Sequence, residues 1–155
     1  MREILSRGKY VVNGEWVEGY YVRLHDSKGH ESHRIYTGYA ETDCGDFYPN
    51  WFEVDPATVG RYAGLTANGK KIFEGDAFLY GLLAVEAVAV VKFGEYSFGS
   101  QFDMNCVGFY LEWTPRAMLY RKDLGFWVKQ REIEIIGNIH DNPELLEEVK
   151  SNAEV

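Results

Sequence analysis

The sequence predicts a mainly β protein, and three features carry that prediction: aromatics make up 15% of the chain, 16 glycines punctuate it, and methionine occurs only three times. Aromatic side chains pack well on pleated surfaces, and glycines serve the tight turns between short strands. With 155 residues the chain is long enough to bury a core without disulfides or metals, as one domain or two small lobes. We read residues 1–66 as an N-terminal β-rich lobe, 67–140 as a small β-barrel, 141–150 as a C-terminal helix and 151–155 as a frayed tail.

The first pair of strands is Lys9 to Val12 and Glu15 to Leu24, hinged on Asn13-Gly14, a dipeptide that tolerates the left-handed backbone of tight turns. Within the second run Tyr20 and Tyr21 must point to opposite faces of the ribbon. A two-stranded ribbon is marginal alone. Its expected neighbours are His33 to Tyr39 and Trp51 to Val54, separated by polar turns at Asp26 to Gly29 and Thr42 to Asp46. Asp55-Pro56 has the pattern of an N-cap followed by proline at the first helical position, and Gly60 limits that helix to about one turn.

Gly64 to Asp76 joins two differently built halves. Asn68-Gly69 reverses the chain, and Glu74-Gly75-Asp76 interrupts the next extended run with a glycine that fits a bulge or a close backbone approach. Glu74 and Asp76 lack the third group and the pocket that acid-base or metal chemistry needs, so they read as solvated acids at a kinked strand start. Val85 to Phe93 is a core strand: Val85, Ala87, Ala89, Val91 and Phe93 share one face, while Val88 and Val90 put apolar groups on the other. Val107 to Trp113 is a second strand. Thr114-Pro115 predicts a short helix ending before Gly125, and Phe126 to Val128 with Glu132 to Ile139 complete the β part. Asn142-Pro143-Glu144 starts the C-terminal helix, with an asparagine cap, a proline at its first position and acids near its positive end.

The formal charge of −8 is unevenly spread: the three stretches 1–66, 67–140 and 141–155 carry −3, −1 and −4. Half of the excess therefore belongs to the short C-terminal segment. Cys44 and Cys106 form no CxxC pair and predict free thiols. Neither a signal peptide nor a membrane-spanning stretch is expected, which points to a cytoplasmic protein without membrane contact.

Three blocks, in order, carry a resemblance. They are Arg7-Gly8-Lys9 with Asn13-Gly14-Glu15-Trp16-Val17-Glu18-Gly19-Tyr20; Val59 to Leu65 continuing through Asn68-Gly69-Lys70-Lys71-Ile72-Phe73-Glu74-Gly75-Asp76; and Ile136 to Leu146. Together they resemble the YopX family and cover most of the chain, with departures at residues 94–131 and from His25 to Cys44. The resemblance implies a protein associated with bacteriophages and prophages, and a mainly β fold with a barrel of the Src-homology-3 (SH3-like) type. It implies no catalytic residues, because the matched positions are mostly glycines, asparagines and aromatics.

Constellations for chemistry are few. His25, His30 and His33 with Cys44 and Asp46 lack the paired spacing of a zinc site and read as exposed loop residues. His140, ahead of the C-terminal helix, reads as a packed or capping residue. Six serines lack a nucleophile-elbow context, and Gly69-Lys70-Lys71 lacks the spacing of a phosphate loop. An enzyme is therefore not expected, nor a metal or cofactor. The stretch Arg116 to Arg131 is different in kind. Arg116, Arg121, Lys122, Lys129 and Arg131 alternate with Tyr120, Phe126 and Trp127, a composition suited to single-stranded nucleic acid, where cations neutralise phosphates and rings stack on bases. The competing reading makes those aromatics core and those charges a solvated face. The expectation is a non-enzymatic module that binds another protein or itself through exposed strand edges, with nucleic-acid binding by Arg116, Tyr120, Arg121, Lys122, Trp127, Lys129 and Arg131 as the alternative and a metal-dependent or hydrolytic enzyme ranked third.

Overall fold

A computed structural model describes residues 3–82, 85–97, 105–117, 119–145 and 147. The protein is mainly β, in two compact units, Met1–Tyr62 and Ala63–Val155.

The first unit contains β1 (Ser6–Lys9), β2 (Trp16–His25), β3 (Glu31–Glu41) and β4 (Phe47–Glu53), in the antiparallel order β4-β3-β2-β1, with the start of β5 (Gly60–Ala67) beside β1. The Asn13-Gly14 hairpin forms as the sequence predicts, with Gly14 at φ 73° and the Asn13 Oδ1 accepting from the Glu15 N–H at 3.0 Å. Gly19 sits close against β3: a Cβ there would lie 2.2 Å from the carbonyl oxygen of Tyr36. Only glycine lets that backbone pass. Ile35, fully buried, and Val54, 1% exposed, anchor the inner face. Asp55 caps a single 3-10 turn, Pro56–Thr58, by accepting from the Ala57 N–H, and the Thr58 hydroxyl then accepts from the Lys9 N–H at 2.8 Å.

In the second unit β5 turns back through Asn68-Gly69, both left-handed at φ 50° and 77°, into β6 (Lys70–Phe73). A four-stranded antiparallel sheet follows, in the order β10-β7-β8-β9, from β7 (Asp76–Leu82), β8 (Val85–Ser97), β9 (Asn105–Trp113) and β10 (Ile133–Asn138). Among the described residues the ladder of this sheet ends at β10 on one side and β9 on the other. Ala87, Ala89 and Val91 are fully buried on one face of β8, and Val90 is 1% exposed on the other, so this strand is covered on both faces.

Three expectations are corrected. Phe126 to Val128 is not a strand: Leu124–Trp127 forms a single helical turn, α1, because the Asp123 carboxylate caps the Gly125 N–H at 3.1 Å and places Leu124 and Trp127 on one buried face. The helix predicted from Thr114-Pro115 reduces to the 3-10 turn Pro115–Ala117, and residues 119–122 are irregular. Asp76 is likewise not solvated. It is 3% exposed, and its Oδ2 accepts from the Phe73 N–H at 2.8 Å, closing the turn that holds Gly75 at φ 89°. Gly75 in turn donates to the Val91 carbonyl and accepts from the Ile139 N–H, each at 2.9 Å, which ties that turn to β8 and to the end of β10. At the C-terminus Glu144, Leu145 and Glu147 are helical and the Leu145 N–H donates to the Asn142 carbonyl at 3.1 Å, while the rest of the expected helix and the tail lie outside the described residues.

Candidate functional site

The sheet of the first unit has an inner face built on Ile35 and an outer face built on rings. Tyr20, Tyr36 and Trp51 are cross-strand partners in one row, so they point the same way, opposite to Tyr21, Ile35 and Phe52. A bulge between Tyr36 and Gly38 restores Tyr39 to that outer face, opposite Pro49, and Phe47 joins it two residues before Pro49. Tyr39 is 71% exposed, Phe47 68%, Tyr20 49% and Trp51 39%. The Tyr36 ring lies 4.9 Å from Trp51 and 5.8 Å from Tyr39, centroid to centroid. Burial pushes the Tyr36 hydroxyl above the ordinary tyrosine value, and its hydrogen bond with Tyr39 adds to that rise. Contiguous exposed aromatics of this kind mark interaction surfaces, since a monomer gains nothing from leaving them in water. Beside Trp51 a cavity of about 250 Å³ is lined by Tyr10, Val11, Val12, Arg34, Trp51 and Glu53.

β4 is also the last strand of its sheet. The Val54 N–H donates inward to the His33 carbonyl, while the Glu53 carbonyl accepts from the Val11 N–H on the other side. Backbone groups alternate along a strand, so Trp51 and Pro49 also face outward. Proline at such a position withholds a donor from any added strand. The open edge is therefore poorly suited to pairing, and the ringed face is the better surface.

The basic and aromatic stretch folds differently from a binding strip. Trp127, one of the rings expected to stack on bases, is only 5% exposed, and its Nε1–H donates to the Arg121 carbonyl at 2.7 Å. Trp113, from β9, donates its Nε1–H to the same carbonyl at 3.0 Å. Those two indoles stand 4.7 Å apart and enclose Tyr80, 5.0 Å from Trp127. Trp127 thus presents no face for a base. Arg121 lies over the Phe126 ring at 3.8 Å and pairs with Asp123 at 3.3 Å; Lys122 pairs with Glu112 at 3.1 Å. Tyr120, 64% exposed, and the exposed Lys129 and Arg131 remain on the exterior, and the side chain of Arg116 lies outside the described residues.

The histidines of the first unit serve the β2-β3 hairpin. Glu31 gathers Arg23 at 2.6 Å, His33 at 2.7 Å and His25 at 3.4 Å, while His30 faces Asp26 at 2.9 Å. Arg23, by donating a hydrogen bond, holds the Glu31 carboxyl below the usual carboxylate range, and His33 and His25 act in the same direction. Cys44 and Cys106 are free thiols. Among the described residues no three His, Cys, Asp or Glu side chains are grouped to hold a metal ion, and no helix is long and apolar enough to cross a membrane.

Residues 7–147 match the family model described as YopX protein. The chain belongs to the YopX family. No curated protein and no solved structure matches it. In this YopX chain the three sequence blocks occupy positions fixed by backbone geometry. In the first, Arg7 stacks over Trp16 at 4.6 Å and Gly19 admits the Tyr36 carbonyl. The second contains the Asn68-Gly69 turn and the turn closed by Asp76. In the third, Asn138, 8% exposed, accepts from the His140 and Asp141 N–H groups at 3.0 Å each, and a Cβ on Gly137 would lie 2.3 Å from the Asn142 Oδ1. None of these places a reactive group in a cleft. The outer-face aromatics Tyr36, Tyr39, Phe47 and Trp51, by contrast, lie largely outside those blocks. Sequence reasoning missed them as a site because rings occupy both alternating phases of Phe47 to Phe52, which hides the buried face.

Proposed function

We propose that this YopX protein is a non-enzymatic accessory protein of a phage or prophage, working in the bacterial cytoplasm as a β module that binds another protein or itself. The exposed aromatic face of β2, β3 and β4 is the observation that carries the reading. Interfaces draw their energy from a few centrally placed tyrosine and tryptophan side chains, and this face presents Tyr20, Tyr36, Tyr39 and Trp51 on a rigid sheet. The alternative, nucleic-acid binding through residues 116–131, retains Tyr120, Lys129 and Arg131 on the exterior but loses Trp127 to the core.

A photo-crosslinking residue placed at position 39 or 47 tests this in cells carrying the phage module. Crosslinks from either position should trap a protein, whether another copy or a different chain, while position 120 should trap none. Crosslinking of nucleic acid from position 120, with nothing trapped from 39 and 47, would support the alternative instead.

A further inference from the structure

We infer that the aromatic face receives a cationic, arginine- or lysine-rich segment of a different protein, an inference that rests on the protein-binding reading above and specifies its partner. The charge around the rings is the first argument. Glu41 lies opposite Phe47 on the same face, Glu53 follows Trp51 in phase, and Asp43 and Asp46 occupy the turn that joins β3 to β4, while the cations in phase with the face are Arg34, opposite Glu53, and Arg7 and Lys9 on β1, both over Trp16. The end of the face that carries Tyr39 and Phe47 is therefore bordered by the carboxylates of Glu41, Asp43 and Asp46. A second copy, carrying the same −8, would bring acid against acid, whereas a basic segment would be drawn in.

Ring chemistry is the second argument. The π face of Tyr, Trp or Phe is its negative side and attracts a guanidinium or ammonium group. This chain already uses that contact on its own residues, for example with Arg7 over Trp16 at 4.6 Å and Arg121 over Phe126 at 3.8 Å. Tyr39, Phe47 and Trp51 offer the same surface to an external cation. The cavity beside Trp51, about 250 Å³, is lined by Tyr10, Val11, Val12, Arg34, Trp51 and Glu53, so its one cation faces its one carboxylate, and it is of a size for one inserted side chain rather than a free small molecule. Pro49 at an outward position of β4 discourages strand addition, so the segment lies across the face, not along the edge.

Two nine-residue peptides, alternating Arg-Ser and alternating Glu-Ser, test the inference on the full chain by NMR of the Trp51 indole N–H, assigned by its loss in Trp51→Phe. The Arg-Ser peptide should shift that resonance, bind more weakly as salt rises, and lose about tenfold in affinity in a Tyr39→Ser, Phe47→Ser double variant. Both replaced side chains are mostly in solvent, 71% and 68% exposed, so the variant should keep its melting temperature. No shift with the Arg-Ser peptide, or an equal shift with the Glu-Ser peptide, overturns the inference. Should the chain instead form a concentration-dependent dimer that the double variant abolishes, the cationic partner is wrong while the protein-binding reading stands. If neither peptide binding nor self-association responds to the double variant, and the crosslinks from positions 39 and 47 trap no protein, both fail.

Discussion

The two units use tryptophan and tyrosine in opposite ways. In the second, Trp113 and Trp127 converge on one backbone carbonyl, that of Arg121, and each is 5% exposed in a core against which Leu119, Phe126 and Val128 also pack. In the first, Trp51 belongs to a comparable cluster with Tyr36 and Tyr39, yet it is 39% exposed and Tyr39 is 71% exposed. Ring clusters of similar geometry thus serve a core in one unit and a surface in the other. What separates them is whether the chain supplies a covering segment whose polar atoms satisfy the indole N–H groups.

The largest expected effect is on stability and falls on one side only. Trp127→Ala should cost about 3 to 5 kcal/mol in denaturant melts, because it opens a cavity against Trp113 and Tyr80 and removes a hydrogen bond. Trp51→Ala should cost about 1 kcal/mol or less, since much of that ring is already in water. Comparable losses at both positions would erase the distinction.

Next in size is a backbone effect at the turn of the second unit. Gly75→Val should cost about 1 to 3 kcal/mol, because φ of 89° strains any L side chain, although a Cβ there would make only ordinary contacts with Ile139 and His140 at 3.5 Å. Glu74→Ala should cost less, having no such constraint. Equal melting midpoints for the two variants would remove the conformational explanation for that glycine.

The smallest effect is electrostatic and belongs to the first unit. Glu31 has its folded-state pKa lowered, chiefly by the hydrogen bond from Arg23. Its contribution to stability is accordingly present above the unfolded-state pKa and lost as pH falls through the folded-state value. Because the pair is exposed, the effect on stability is slight, and the sharper readout is the titration itself. Arg23→Ala should raise the Glu31 midpoint toward the ordinary carboxylate range in an NMR pH titration; an unmoved midpoint would assign the lowering to the histidines.

Much of the fold was legible because it rests on local rules. Asn68-Gly69 and Asn13-Gly14 announce their turns, Asp55-Pro56 its single helical turn, and the alternation from Val85 to Phe93 its strand. Failures came where a tertiary contact overrides the local pattern. Phe126-Trp127-Val128 suits a strand by propensity, but the Asp123 cap and the docking of two indoles on the Arg121 carbonyl make it a helical turn. Asp76 looks like a surface acid until the Phe73 N–H needs an acceptor in the buried turn. The aromatic face was the least legible feature. Its rows run across three strands, and the bulge at Thr37 shifts the alternation on which any face assignment depends.

Hydroxyl-radical footprinting of the free full-length protein tests the central contrast most directly, because it reads the exposure of each ring in solution. Tyr39, Phe47 and Trp51 should oxidise readily, while Trp113 and Trp127 stay protected until the protein unfolds. Trp127 oxidising as fast as Trp51 in the folded protein, or Tyr39 and Phe47 protected in a monomer, would contradict the assignment of one cluster to the core and the other to a binding surface.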